Sequence, residues 1–380
     1  MSRSRLRAIT VDPADPLPLM SSLEEALSGQ MSILPCGPDL SQNEILRGHC
    51  RVGAPIDPEV AVVVSTSGST GTPKGAELTP ANLISSADAT HQYLGGEGAW
   101  LLAMPAHHIA GLQVLVRSIV SGYEPEFLDL SHGFSIQEFA LKAERLAHFP
   151  GRIYTALTPM QLLKAMDTLA GIEALRLFHA VLVGGAPLRR SDYEAAGRLG
   201  ITVVRTYGSS ETSGGCVYDG RPLPGVTIQL RGERIAISGP MVARGYRNMS
   251  DSPAFFSPGS FLTSDTGFID NGLLTVTGRI DTIIDSGGLK IHPEVIEQVI
   301  ANIEGVSAVC VLGIPDRRLG EAIVAAYTGT ASPATIIEAF DEMPRWQLPK
   351  QITRVESLPL KGPGKIDRLM VREKFMHDLG

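Results

Sequence analysis

The 380-residue sequence predicts an α/β protein. A large N-terminal region of helix-covered sheet is followed by a β-rich stretch and then by a small α+β unit at the C-terminus. Three observations carry that reading. Between residues 58 and 212, short apolar β-branched runs alternate with helical patterns, the rhythm of a parallel or mixed sheet with helices on its faces. After Gly220 the helices stop, and "PGVTIQLRGERIAISGP" and "LLTVTGRIDTIIDSGG" read as short strands joined by turns. Past Arg279, about 100 residues mix a helix at "HPEVIEQVIANIEG" with strand-like runs, the size of a small domain. A boundary near residue 280 divides the chain into 1–280 and 281–380.

The elements follow in order. Residues 1–57 signal weakly: "SLEEALSG" suits a short helix and "PCGPDLSQ" a loop. "EVAVVVS" is a buried strand. It runs into "STSGSTGTPKG" (Ser65–Gly75), a glycine and hydroxyl loop with one lysine, and then by a short connection into a helix. Thr79 caps that helix, Pro80 takes its first position and Gly95 ends it. "AWLLAMPA" is a strand and "IAGLQVLVRSIVSG" a helix. "SIQEFALKAERLAH" and "PMQLLKAMDTLAG" are helices on either side of the strand "GRIYTALTP". "LFHAVLVGGAPL" is a buried strand ending in Gly-Gly, "SDYEAAGRLG" a helix, and "ITVVRTYGSSET" a strand entering a polar turn.

Composition excludes several classes. The net charge of −7 argues against nucleic acid as a main partner. No run of about 18 apolar residues offers a membrane span. The N-terminus has basic residues but no apolar core for a secretory signal. Cys36, Cys50, Cys216 and Cys310 lie far apart, as expected of reduced thiols in a cytoplasmic protein. Oligomeric state is not written in the sequence, and a homodimer stays open.

The glycine stretch carries the chemistry. Glycines let a backbone approach an oxyanion, and hydroxyls and N–H groups donate to it. Lys74 can add a point charge to a phosphate. The spacing is not that of a Walker P-loop, because Gly71 is followed by "TPKG" with Pro73 before the lysine. A flexible Gly/Ser loop without a ligand is the ordinary alternative.

"STSGSTGTPKG" closely resembles the phosphate loop of the adenylate-forming superfamily, which includes acyl- and aryl-CoA ligases and adenylation domains. Further stretches resemble that family's motifs in the same order, over roughly residues 58–370. The resemblance implies an acyl-CoA synthetase-like fold with a mobile C-terminal domain. It assigns Ser65, Thr66, Ser67, Gly68, Ser69, Thr70, Gly71 and Lys74 to the ATP phosphates. In "VGGAPL", Gly184, Gly185, Ala186 and Pro187 would line the adenine pocket. In "YGSSET" (Tyr207, Gly208, Ser209, Ser210, Glu211, Thr212), Tyr207 would stack on adenine, Glu211 would hold Mg²⁺ and Thr212 would contact the α-phosphate. Asp265 of "SDTG" and Arg279 of "GRIDT" would hold the ribose, and Asp281 would be the hinge. Lys365 of "LPLKGPGKIDR" would be the catalytic lysine. In "MPAHHIAG", His108, which aligns better than His107, would flank the acyl site. Each stretch also has a plain reading alone: a strand-end turn, a turn-forming Asp, a solvated Arg–Asp pair, a solvated lysine, a core histidine.

The implied reaction has two halves. A carboxylic acid and ATP form an acyl-adenylate, and coenzyme A then displaces AMP. Within the superfamily, "MPAHHIAGLQVLVRS" and the compact length most resemble the o-succinylbenzoate–CoA ligases of menaquinone biosynthesis. That acid has a second carboxylate, for which Arg117, Ser213, Gly214 and Gly215 are candidates by position. Arg117 could instead snorkel from its helix. Only about 60 residues precede the phosphate loop, so the N-terminal subdomain is expected to be shortened. Another aryl- or acyl-CoA ligase, a stand-alone adenylation enzyme loading a carrier protein, and a non-catalytic nucleotide-binding protein are the alternative readings.

Overall fold

The computed structural model describes residues 4–66, 73–341, 343–361 and 365–377. Its strands fall into four sheets and one two-stranded ribbon. The first sheet has the order Leu6–Thr10, Ser32–Cys36, Val62–Thr66, Lys74–Leu78 and Gly245–Tyr246. The N-terminal residues are more regular than their sequence suggests: two strands, each followed by a helix (Leu17–Leu27 and Leu40–His49), pair in parallel beside Val62–Thr66. "PCGPDLSQ" holds the end of a strand and the start of a helix, because the Asp39 carboxylate accepts from the amides of Ser41 and Gln42.

The second sheet is the βαβα region. Glu126–Phe127, Gly98–Leu102, Arg152–Leu157, Ala180–Val183 and Val203–Ser209 run parallel. Gly214–Tyr218 and Arg221–Pro222 then reverse direction. Parallel strands share one edge at which their C-terminal ends emerge, the usual place for ligands in such sheets. That edge collects the segments after Leu102, Val183 and Ser209, which hold the His108, Gly184–Pro187 and Glu211 stretches. The helices cap as expected: Thr79 and Asn82 form a reciprocal capping box, Pro80 opens the helix, and Gly95 closes it at φ 83°. One predicted helix is two. Thr168 caps a second helix, Leu169–Leu177, after Pro159–Met166, and Gly171 packs so closely on Ala165 that a Cβ would fall 2.1 Å from its carbonyl oxygen.

The β-rich stretch forms an antiparallel sheet of Thr227–Arg231, Arg234–Ser238, Ser260–Asp270 and Leu273–Arg279. Its inner residues Ile235, Ile237, Phe261 and Leu274 join one core with the first two sheets. From Ile284 onward the chain has cores of its own, built on the long hairpin Val306–Asp316 and Gly320–Gly329. No helix among the described residues is long and apolar enough to cross a membrane.

Candidate active site

The buried run Val62–Val64 carries its strand to Ser65 and Thr66, and the chain returns as the strand Lys74–Leu78. The two pair antiparallel with Thr66 opposite Lys74 and Ser65 opposite Gly75. Lys74 therefore opens a strand, where the sequence suggested only a connection. Ser67, Gly68, Ser69, Thr70 and Gly71 lie outside the described residues. Asn248 staples the hairpin's mouth: its side-chain amide donates to Pro73 O at 2.9 Å and accepts from Gly75 N at 3.1 Å. Gly75 has no room for a side chain, since a Cβ would lie 2.6 Å from Val63 Cγ1 and 2.8 Å from Cys50 Sγ.

Glu211 sits in the short 3-10 turn Ser210–Thr212, where the parallel strands give way to antiparallel ones. Three contacts aim it. The Ser210 hydroxyl donates to Ser65 O at 3.3 Å, tying the turn to the hairpin. The amide of Ser209 donates to Thr212 Oγ1 at 2.9 Å. Tyr246 OH donates to Glu211 Oε1 at 2.7 Å, and the same ring lies 5.2 Å below the Lys74 ammonium. Burial and the neighbouring Glu211 carboxylate push the Tyr246 phenol far above its ordinary range, so it stays a donor. Tyr246 thus sets the distance between lysine and carboxylate. Sequence reading missed it, because nothing in "ARGYRN" points toward Glu211.

Two of the candidate residues are engaged within the fold. Thr212 is fully buried, and its hydroxyl works inside the turn, 2.8 Å from Gly214 O. It shapes the turn that presents Glu211. Ser213, a candidate donor to the substrate, is also fully buried, and its hydroxyl donates to Met241 O at 2.8 Å. Its side chain is held within the fold.

The next corner is a chain of polar contacts. Tyr207 OH donates to Asp265 Oδ2 at 2.7 Å, and Arg279 Nη1 donates to Asp265 Oδ1 at 2.9 Å. Arg279 also grips Asp281 with both Nε (2.9 Å) and Nη2 (2.7 Å). Those hydrogen bonds to Asp281 lead the causes that keep its guanidinium charged. Burial, then Asp265, raises the Tyr207 phenol well above 10. Gly184 closes the corner. A Cβ there would lie 2.2 Å from Thr206 Oγ1, so the strand ends flush against Val203–Ser209, while Gly185 turns away at φ 83°. Tyr207, Asp265, Arg279 and Asp281, scattered over 75 residues of sequence, are therefore one connected group.

His108 precedes the helix Ile109–Ser121, and its ring lies tilted against that of His107 with centroids 4.2 Å apart. His107 faces Gly37, whose added Cβ would lie 2.8 Å from His107 Nε2. Burial, His107 and the Lys365 charge hold His108 down at about 3, so it is neutral at physiological pH. Lys365 begins the short strand Lys365–Ile366, which pairs with Leu360–Lys361. Its charge adds to the lowering of His108, so Lys365 lies within electrostatic reach of that histidine.

Residues 9–247 match the family described as AMP-binding enzyme, and residues 295–365 match AMP-binding enzyme C-terminal domain. A relative from Mycobacterium tuberculosis, named a probable 2-succinylbenzoate–CoA ligase, is 45% identical over 367 residues, covering 94% of this chain and 95% of its own. The chain belongs to the AMP-binding enzyme family. A 2-succinylbenzoate–CoA ligase of Enterococcus faecalis is 30% identical to this AMP-binding enzyme over 92% of the chain and 77% of its own. The solved o-succinylbenzoate CoA synthetase of Bacillus subtilis, in complex with its acyl-adenylate intermediate, shares the fold at a TM-score of 0.83, with 21% identity over 98% of this chain and 89% of its own.

In this AMP-binding enzyme Arg117 is 3% exposed and does not snorkel. Its guanidinium lies 4.9 Å over the Trp100 ring and 3.5 Å from Tyr218 OH, with no carboxylate paired to it among the described residues. Arg117 Nε, Gln113 Oε1 and His91 Nδ1 are buried and take no hydrogen bond among the described residues. Trp100 donates its indole N–H to His91 Nε2 at 3.4 Å, so a neutral His91 carries its proton on Nδ1. Burial, then Arg117, holds His91 down at about 4. Gly214 and Gly215 border the same group: added Cβ atoms would lie 3.3 Å from Gln113 Cγ and 2.8 Å from Tyr218 Cε1. The helical spacing that placed Arg117 could not show Gln113, His91 or Tyr218 around it.

Proposed function

We propose that this AMP-binding enzyme is an ATP-dependent acid–thiol ligase that activates o-succinylbenzoate and transfers it to coenzyme A in menaquinone biosynthesis. What carries the reading is the 45% identity, over 94% of the chain, with a relative named for that reaction. The site's chemistry supports it. In the first half-reaction a carboxylate oxygen attacks the α-phosphorus of ATP, and the bond to pyrophosphate breaks. In the second, the thiol sulfur attacks the acyl carbon, loses its proton, and the bond to AMP breaks.

The residues divide the work. Tyr207 offers a flat face to adenine, and Asp265 with Arg279 holds the ribose hydroxyls. Ser65, Thr66 and Lys74 frame the phosphates. Glu211 would hold Mg²⁺: a hard carboxylate with one oxygen taken by Tyr246 suits an ion that keeps waters and phosphate ligands. When bound, Mg²⁺ would neutralise phosphate charge. Lys365 would stabilise the charge developing between carboxylate and α-phosphate, and neutral His108 would flank the acid without competing for it. Arg117 would meet the second carboxylate, because a buried cation without an acid partner is complemented by an anionic ligand. Residues 1–280 would form the AMP-binding domain and 281–380 the mobile one, turning at Asp281 between the half-reactions. The separate cores after Ile284 support that division.

The test is an endpoint assay with ATP, Mg²⁺, coenzyme A and either o-succinylbenzoate or a panel of aryl and short acyl acids, read by mass spectrometry with Lys365→Ala as control. The expected product is AMP with the o-succinylbenzoyl thioester alone. AMP with a different acid would overturn the substrate, and a thioester on a carrier protein but not on coenzyme A would overturn the acceptor.

A further inference from the structure

Arg189 stands at the cap position of the helix Arg190–Arg198, directly behind the Gly184–Pro187 segment, yet caps nothing in its own helix. Its Nε meets Asp192 Oδ2 at 2.9 Å. Its Nη1 donates to Ala301 O at 2.8 Å, across 112 residues of sequence, and to Val306 O at 3.2 Å. Ala301 ends the helix Pro293–Ala301 of the small C-terminal unit. That helix has no basic residue in its last turn, so the negative end of its dipole is met by a charge from the large N-terminal region.

The same helix reaches Lys365. Its Glu297 accepts from Arg368 at 2.7 Å and from Val311 N at 2.7 Å. Its Glu294 accepts from the hydroxyl of Thr282 at 2.8 Å, next to Asp281. Arg368 also donates to Val311 O at 2.6 Å and stands three residues after Lys365, at the base of the hairpin that carries it. A force on the helix end is thus passed to the lysine through buried and half-buried ion pairs and hydrogen bonds, not through a loop.

We infer that Arg189 is a positioning residue for acyl-adenylate formation: it docks the small unit with Lys365 in the cleft and releases it for the thiol step. This rests on the proposed roles of Lys365 and the hinge. Because Arg189 follows the adenine segment so closely, nucleotide binding and docking share one stretch of backbone.

Two measurements test it. In pyrophosphate–ATP exchange with o-succinylbenzoate and no coenzyme A, Arg189→Ala should lower kcat about tenfold, the worth of one charge-assisted hydrogen bond. The KM for ATP should stay within about twofold. Thioester formation from synthetic acyl-adenylate and coenzyme A should change less than about twofold, and Arg189→Lys should recover part of the exchange rate. Equal losses in both halves, or none in exchange, would overturn the inference. Asp192→Ala, which frees the guanidinium without removing it, should give a smaller loss of the same kind if Arg189→Ala does not fold. The second measurement needs no turnover. The four native cysteines are buried, so dyes on Leu169→Cys and Ile337→Cys, both at exposed positions, report the distance between the two units. With AMP bound, Arg189→Ala should shift that distance distribution, and an unchanged distribution would sink the docking role. If the parent enzyme shows no exchange with o-succinylbenzoate, the substrate assignment fails while the distance measurement still decides the docking.

Discussion

The proposed nucleotide side and the proposed acyl side of this site are built on opposite principles. Around Tyr207, Asp265, Arg279, Glu211 and Tyr246, carboxylates, phenols and the guanidinium are joined in chains of short hydrogen bonds. Around Arg117, three buried polar atoms take no partner among the described residues, and a cation lies against Trp100 without an acid. A paired network is rigid before ligand arrives, which suits recognition of an invariant nucleotide. An uncompensated one gains most from a ligand that brings the missing charge, and rejects one that does not. Under the proposed roles, the contrast teaches that ATP recognition would be preorganised here, while the acid would complete its own subsite.

The largest expected effect separates chemistry from both kinds of binding. Lys365→Ala should lower acyl-adenylate formation on the order of 10²–10³-fold, while thioester formation from supplied acyl-adenylate persists. Loss of both halves in a steady-state comparison would show that the lysine serves more than the first step. Next, Arg117→Met should reduce kcat/KM for the dicarboxylate on the order of tenfold to a hundredfold and spare a monocarboxylate analogue. Equal losses for the two acids would mean that Arg117 is structural, and the contrast between the sides would break.

On the paired side, Tyr246→Phe removes one donor to Glu211 and should raise the Mg²⁺ requirement about fivefold in a titration at fixed ATP. No change would mean that Glu211 is aimed by its turn alone. The smallest effect concerns pH. His91 is held at about 4 in the folded protein, below an ordinary value of 6.5. The unfolded chain therefore takes up this proton first as pH falls. The stabilisation is complete above about 6.5 and is lost as pH falls through 4. In thermal melts across that window, His91→Gln should flatten the fall of Tm by a few degrees. His107 and His108, also depressed by burial, add slope of the same sign, while Glu297, raised by burial to about 7, opposes it.

Legibility in the sequence followed the range of the interactions. The capping of Pro80–Leu94 by Thr79 and Gly95 is local, and it was readable residue by residue. The parallel rhythm from Gly98 to Ser209 was readable from its periodicity. The N-terminal pair of strands was not, since "LRAIT" and "SILPC" are too short and mixed to signal without the sheet they join. The helix break at Thr168 was hidden because a cap inside an apolar pattern looks like one more turn. Of the candidate site, Tyr207, Asp265 and Arg279 could be named from their motifs, and the structure joins them in one group. Tyr246 could not be named, because its partners Lys74 and Glu211 lie 172 and 35 residues away.

What the sequence by itself determined is the kind of chemistry: a glycine–hydroxyl loop with its lysine, a carboxylate in a polar turn, a second lysine near the C-terminus, and enough apolar alternation to hold them on an α/β frame. These depend on residue type and short spacing, which one dimension preserves. Only the tertiary structure decided which side chains remain available. It turned Ser213 inward to Met241 and Thr212 into its own turn, buried Arg117 over Trp100 with no counter-charge among the described residues, and joined Arg189 to the far end of a helix in the small unit. Hydrogen-bond capacity and desolvation are set by neighbours in space, and those neighbours come from strands and helices far apart in the chain.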